Sequence, residues 1–183
     1  MSIRRARISA AALLLTCFLP IRQASAQWSA APAVALGLAV PGGSLRDLVS
    51  EGLTAKAGVW MRAPRVPVGF TAEAMLMHAG RVRNSAATDA FRVAAVTLNA
   101  TTRRHEGRLD PYGVLGAGWY WHTDPGMGLT QRSAPGVNVG IGEVIAMRDR
   151  DFFVELRLHA VRTPTADGAR WTTFLPVLFG VRF

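Results

Sequence analysis

Phe152-Phe153-Val154-Glu155-Leu156-Arg157-Leu158-His159-Ala160-Val161-Arg162 alternates strictly between apolar and polar side chains through its middle. Successive side chains of an extended chain point to opposite faces, so Val154, Leu156, Leu158 and Ala160 share one side, and Glu155, Arg157 and His159 the other. A helix would scatter both sets around its circumference. The stretch therefore reads as a strand with one greasy face and one charged face. The following run, 174–183, repeats the pattern: Leu175, Val177, Phe179, Val181 and Phe183 lie on one side, with Pro176, Gly180 and Arg182 opposite. Upstream, Val68, Phe70, Ala72 and Ala74 oppose Gly69, Thr71 and Glu73 in the same way. A slip of one residue would exchange the faces, so the register is strongly specified.

Eight such runs occur along the chain, at 31–40, 54–62, 68–77, 91–101, 109–122, 136–147, 152–162 and 174–183. The links between them alternate. Those at 41–53, 78–90, 123–135 and 163–173 are long; those at 63–67, 102–108 and 148–151 are short and tight. Short turns on one rim and long loops on the other are the mark of an up-and-down barrel.

The 183 residues fit one domain, half of them hydrophobic, and mean hydropathy is only slightly positive. After residue 27 no stretch approaches the roughly 20 apolar residues of a membrane helix. The start of the chain has a separate task. Arg4, Arg5 and Arg7 precede an apolar run from Ile8 to Leu19, and Ala24-Ser25-Ala26 supplies small residues for cleavage, the pattern of a secretory signal. The expected division is a signal peptide over 1–26 and a mature domain over 27–183. Lipidation at Cys17 is the competing reading, with Thr16 a poor fit before it. Removal of Cys17 with the signal leaves no cysteine, hence no disulfide. The formal charge of +9 falls to about +5 once Arg4, Arg5, Arg7 and Arg22 are subtracted. For an exported chain the fitting counter-charge is anionic lipid rather than nucleic acid.

A soluble eight-stranded barrel alternates too, with its apolar face inward. Three features favour the inverse arrangement. Gly37, Gly58, Gly116, Gly118, Gly140, Gly142 and Gly180 fall within strands, many on the charged face, where a narrow interior leaves little room. Run lengths match a tilted membrane strand. Aromatic residues gather near strand ends, with Trp119, Tyr120 and Trp121 at one rim and Tyr112, Phe152 and Phe153 at the other, as in head-group girdles. The fold expected is all-β, an eight-stranded antiparallel up-and-down transmembrane β-barrel. Its lumen is expected to hold a polar network in which Glu73 and Glu155 face Arg157, Arg182 and either Lys56 or Arg62. Asn99, Asn138 and His159 add hydrogen bonds there. Parity sends Glu143 toward lipid beside Val139, Ile141 and Ile145, so either a bulge re-aims it or it lies near a rim.

With these residues in view, the mature chain resembles the small outer-membrane β-barrel proteins of the OmpA/OmpX-like group. The resemblance is carried by Gly136-Val137-Asn138-Val139-Gly140-Ile141-Gly142, by Phe153-Val154-Glu155-Leu156-Arg157 and by Leu175-Pro176-Val177-Leu178-Phe179-Gly180-Val181-Arg182-Phe183. Pro111-Tyr112 before Gly116-Ala117-Gly118, and the turn Arg62-Ala63-Pro64-Arg65-Val66-Pro67, also fit. It implies location in the cell outer membrane, contact with lipid and lipopolysaccharide, and an assembly signal at Phe179, Val181 and Phe183 read by the outer-membrane assembly machinery. It is compatible with a structural or surface-interaction role with long extracellular loops but stops short of a reaction; the expectation from the residues is no enzyme activity and no cofactor. The alternatives are a lipid A-modifying enzyme and a narrow pore.

Residue chemistry adds little to the enzymatic alternative. A nucleophile needs an adjacent base, yet His78, His122 and His159 are followed by Ala79-Gly80, Thr123-Asp124 and Ala160-Val161, and His105 lies in a short turn. His122-Thr123-Asp124 reads as the start of a loop. No Cys/His spacing suits a metal, and Gly116-Ala117-Gly118 lacks the rest of a dinucleotide fingerprint. The long loops carry Arg46, Asp47, Glu51, Arg81, Arg83, Arg132, Asp167 and Arg170, and their arginines suit lipopolysaccharide phosphates.

Overall fold

The computed structural model describes residues 28–63, 67–81, 90–103, 109–123, 131–165 and 168–183. The expected signal segment with Cys17 lies outside them, as do Arg83, His105, Asp124 and Asp167. Eight strands follow one another: β1 (Ser29–Gly42), β2 (Val49–Arg62), β3 (Val68–Arg81), β4 (Phe91–Arg103), β5 (Leu109–Thr123), β6 (Gln131–Ala146), β7 (Asp151–Thr165) and β8 (Gly168–Arg182). A short 3-10 helix, Gly43–Asp47, links β1 to β2. Each strand pairs antiparallel with the next, and β8 pairs with β1 to close a barrel. Closure is what the bilayer demands, because an open edge in hydrocarbon leaves backbone N–H and C=O groups unsatisfied.

The register sets the dimensions. Passing from Pro32 through Val59, Ala72, Leu98, Ala117, Val137, Ala160 and Thr173, the pairing returns to β1 at Gly42, ten residues further along. With about 3.3 Å per residue and about 4.8 Å between strands, this shear tilts the strands by about 41° and gives a radius of about 8 Å. A 14-residue strand such as β1 then rises about 35 Å, more than the apolar band of about 25 Å. The strands stand out of the membrane.

The excess lies at one end. The strands run further than expected into the long links: β1 continues to Gly42, β2 begins at Val49, β6 at Gln131 and β8 at Gly168. Thr165 pairs with Gly168 across a tight hairpin, so the expected long loop at 163–173 is mostly strand. Glu51, Arg132 and Arg170, expected in loops, sit on β2, β6 and β8. Beyond the lipid, these segments keep their ladder of hydrogen bonds although their side chains have turned polar.

The outer wall is apolar between the two rims. Leu36 is 70% exposed and Ile141 67%, alongside Leu53, Leu98, Leu115 and Phe179. A soluble barrel would not present so continuous a surface. Glu143 faces outward in unbroken register, opposite Pro111 on β5 and Val154 on β7, three residues before β6 ends at Ala146. No bulge re-aims it; it stands near the short-turn rim.

Inside, two apolar clusters cap the lumen. Leu45, Val49, Phe91, Tyr120, Val161 and Phe174 pack at the long-linked end. Trp60, Tyr112, Val114, Val144, Phe153 and Leu178 pack at the short-turn end. Tyr120, Tyr112 and Phe153 therefore leave the expected girdles and point inward, because strand parity and not nearness to a rim decides the face. Trp119, Trp121 and Phe152 do face out. The inner rings lie over glycines: a Cβ on Gly142 would come within 2.3 Å of the Tyr112 ring, and one on Gly180 within 2.2 Å of Phe153. Both are register pairs, Tyr112 with Gly142 and Phe153 with Gly180. Replacing Gly180 or Gly142 by Val should displace these rings and destabilise the barrel by about 1–3 kcal/mol. Urea titration in micelles measures this against the outward Ala160→Val as control; equal midpoints for all three would contradict the packing.

Candidate functional site

Between the two clusters lies a polar layer assembled by parity from opposite walls. Lys56 comes from β2, Glu73 from β3, and Glu155 and Arg157 from β7; all are buried, with Glu155 0% and Arg157 1% exposed. The Lys56 ammonium donates to Glu155 Oε1 at 2.7 Å and to Glu73 Oε1 at 3.2 Å. The Arg157 guanidinium donates through Nη1 to Glu73 Oε2 at 2.5 Å and through Nη2 to Glu155 Oε2 at 2.7 Å. Two cations and two carboxylates thus form a neutral quartet in which each carboxylate meets both cations.

A shell of neutral groups uses the remaining lone pairs. Tyr112 donates its hydroxyl to Glu155 Oε2 at 3.0 Å. Asn99 Nδ2 donates to Glu73 Oε2 at 3.0 Å and to Thr71 Oγ1 at 2.8 Å, while its Oδ1 accepts from Asn138 Nδ2 at 2.9 Å. The Tyr120 hydroxyl lies 2.9 Å from His159 Nδ1, and the His159 ring stacks on Phe174 at 4.8 Å. Lys56 also sits 5.5 Å from the centre of the Phe153 ring, which couples the quartet to the short-turn cluster. Burying a lone ion costs several kcal/mol, so these groups are tolerated only as a set.

Glu73, Asn99, Asn138, Glu155, Arg157 and His159 are therefore brought into one layer, with Lys56 rather than Arg62 as the second cation. Arg182 does not join them. It pairs with Asp151 at the short-turn rim and lies 5.4 Å from the centre of the Trp60 ring, on the far side of that cluster from Lys56. Its parity is inward, but it occupies the last residue of β8, below the apolar seal. Phe179 and Phe183 project outward, 63% and 52% exposed, and Val181 lies half-buried on the same face. The hydroxyls of Tyr112 and Tyr120 are lumen partners outside the expected network. Their signal was available: both share the even-numbered face of β5 with Gly116 and Gly118.

The remaining histidines occupy contrasting places. His122 is buried near Phe91, with ring centres 6.1 Å apart, and is an inward residue of β5 rather than the start of a loop. His78 faces out from β3. Among the described residues, no group of three or more His, Cys, Asp or Glu side chains is placed to hold a metal.

A closed eight-stranded wall with lipid-facing apolar side chains and a sealed, charge-neutral interior defines a small transmembrane β-barrel of the outer-membrane type. No protein-family model matches the chain, and no curated protein matches it in sequence. Solved structures do. Neisserial surface protein A aligns with a TM-score of 0.63 at 14% identity, over 86% of this chain and 98% of that one. A major outer membrane protein from Thermus thermophilus aligns with a TM-score of 0.50 at 13% identity, over 85% and 100% of the two chains. At such identities the likeness is one of fold.

The quartet makes a direct prediction. Glu155→Ala leaves Lys56 and Arg157 to share Glu73, and should cost about 3–5 kcal/mol of stability. Denaturant midpoints of the micelle-bound protein, read by gel mobility with and without heating, measure the loss. Combining Glu155→Gln with Lys56→Met removes one charge of each sign and should recover most of it. An unshifted Glu155→Ala midpoint would show that the ion pairs carry no stability.

Proposed function

We propose that this chain is a non-conducting integral barrel of the cell outer membrane, akin to the OmpA/OmpX-like group, with a structural or surface-interaction role and no catalytic one. The observation that carries this reading is the sealed lumen. Apolar clusters stand above and below a neutral quartet, and an eight-stranded cylinder has no width to spare for a water column around them. Neither a narrow pore nor a lumenal catalyst suits that arrangement. His122 and His159 are buried inside the barrel, away from any lipid substrate. Function on such a scaffold belongs to its exterior: the long-linked rim and the lipid-facing wall.

The terminal strand supports the assembly route. Phe179 and Val181 on β8, and Phe183 just after it, present one apolar face toward lipid, beside the seam that closes the barrel against β1. In this reading the outer-membrane assembly machinery engages that face before β8 and β1 pair, and lipid with lipopolysaccharide surrounds the finished wall.

Planar-bilayer recording tests the sealed state, and the expected result is silence across the physiological voltage range. Steady conductance steps would instead support a pore. Removal of Phe183 should lower the fraction of chain that reaches the outer-membrane fraction in a heat-modifiable form. An undiminished fraction would detach the terminal face from assembly.

A further inference from the structure

The outer wall is not uniform. On β3, Leu76 stands between two alanines in register, Ala55 of β2 and Ala94 of β4. These small residues leave a depression of about 840 Å³ in the lipid-facing surface, walled by Leu38, Leu53 and Trp121. Its upper lip, at the long-linked end of the apolar belt, is basic. His78 and Arg92 are direct cross-strand partners and both are exposed. Side chains so paired have Cβ atoms about 4.5–5.5 Å apart, close enough for both to reach one phosphate. Neither side chain has an ion-pair or hydrogen-bond partner among the described residues. The only acid on this stretch of described wall is Glu51, two residues beyond Leu53.

We propose that this wall of β2–β4 binds a phosphorylated, multiply acylated lipid of the outer leaflet, of the lipid A class, with Arg92 and His78 on a phosphate and acyl chains in the alanine-floored depression. The inference rests on the outer-membrane reading, which turns the long-linked rim toward the cell exterior. The match is one of chemistry and height. Acyl chains need an apolar furrow within the belt, and phosphates lie where the belt ends. Arg92 and His78 follow Ala94 and Leu76 by two residues in space along their strands, at that boundary. Arginine binds phosphate oxygens in a forked geometry, and a flanking indole such as Trp121 suits the same level. On the outward faces of the described strands, His78, Arg92 and Arg162 outnumber the one acid, Glu51, toward the long-linked rim, whereas Glu143 stands toward the other.

The test uses the full chain folded into phosphatidylcholine nanodiscs doped with bisphosphorylated lipid A or with the same lipid freed of phosphate. Lipid retained after transfer to detergent is counted by mass spectrometry. The phosphorylated form should be kept in preference. Arg92→Gln and His78→Gln should each weaken its retention, Arg92→Gln by about tenfold. Arg162→Gln, on the distant β7, should leave it unchanged, and Glu51→Gln should strengthen it. All four positions are exposed, and gel mobility before and after heating verifies folding; should one basic-lip variant fail to fold, the other serves. Equal retention of the phosphate-free lipid, or full retention by the folded Arg92→Gln and His78→Gln variants, would overturn the proposal. So would disulfide-linked dimers of a Leu76→Cys variant that also carries Cys17→Ser, in lipid-free detergent, which would place a second copy in the depression. A chain that never becomes heat-modifiable in a bilayer would defeat the outer-membrane reading itself; a folded barrel blind to phosphate defeats only the lipid site.

Discussion

Four charges share one buried compartment in the middle of this barrel, and the arrangement of the interior follows from keeping them neutral. Lys56 and Arg157 each touch both Glu73 and Glu155, so no ion is left with a single partner. Charges in a medium of low polarisability attract strongly when matched and are expelled when unmatched. A set that bridges β2, β3 and β7 therefore fixes facing walls of the cylinder relative to one another. The alternation of faces and the backbone ladder set the register of neighbouring strands, and the quartet adds a tie across the lumen. The two apolar clusters cover the arrangement on both sides.

Space inside the cylinder imposes the next choice. A radius of about 8 Å admits large inner side chains only where their neighbours are small. Tyr112 and Phe153 lie against Gly142 and Gly180, and the polar layer contains Asn and Thr between its longer members. The wall is consequently close to solid. The outer surface has no such filling requirement and instead answers to bilayer depth: branched aliphatics through the middle, aromatic rings toward the rims, and charged side chains beyond.

Much of this was legible in the alternation of residues. β3, β7 and β8 show their faces directly, and the same parity gathers Glu73, Glu155, Arg157, Asn99, Asn138 and His159 into one lumen. What parity omits is height. Arg182 has the right face and the wrong level, below Trp60, so it answers Asp151 instead. Tyr112, Tyr120 and Phe153 show the converse error, in which closeness to a strand end suggested a girdle although their inward parity assigns them to the seals. Pro41, Pro164 and Gly168 fall outside the alternating runs, yet they lie in paired strands beyond the bilayer. Glu143 shows the limit of a periodic reading: its face is plain in the sequence, but its nearness to the rim requires the register of all its neighbours.

The ancestry of each ion pair along the chain has a consequence for how the barrel enters the membrane. Lys56 and Glu73 belong to adjacent strands of one hairpin, whereas Glu155 and Arg157 are two residues apart on a single strand, and the contact between Lys56 and Glu155 spans 99 positions. Each half of the chain thus carries its own zero-sum pair before the halves meet. Neither the early hairpin nor the late strand has to present an uncompensated ion to hydrocarbon while it waits for the other, and the exchange of partners into a quartet can be left until the seam between first and last strands zips shut.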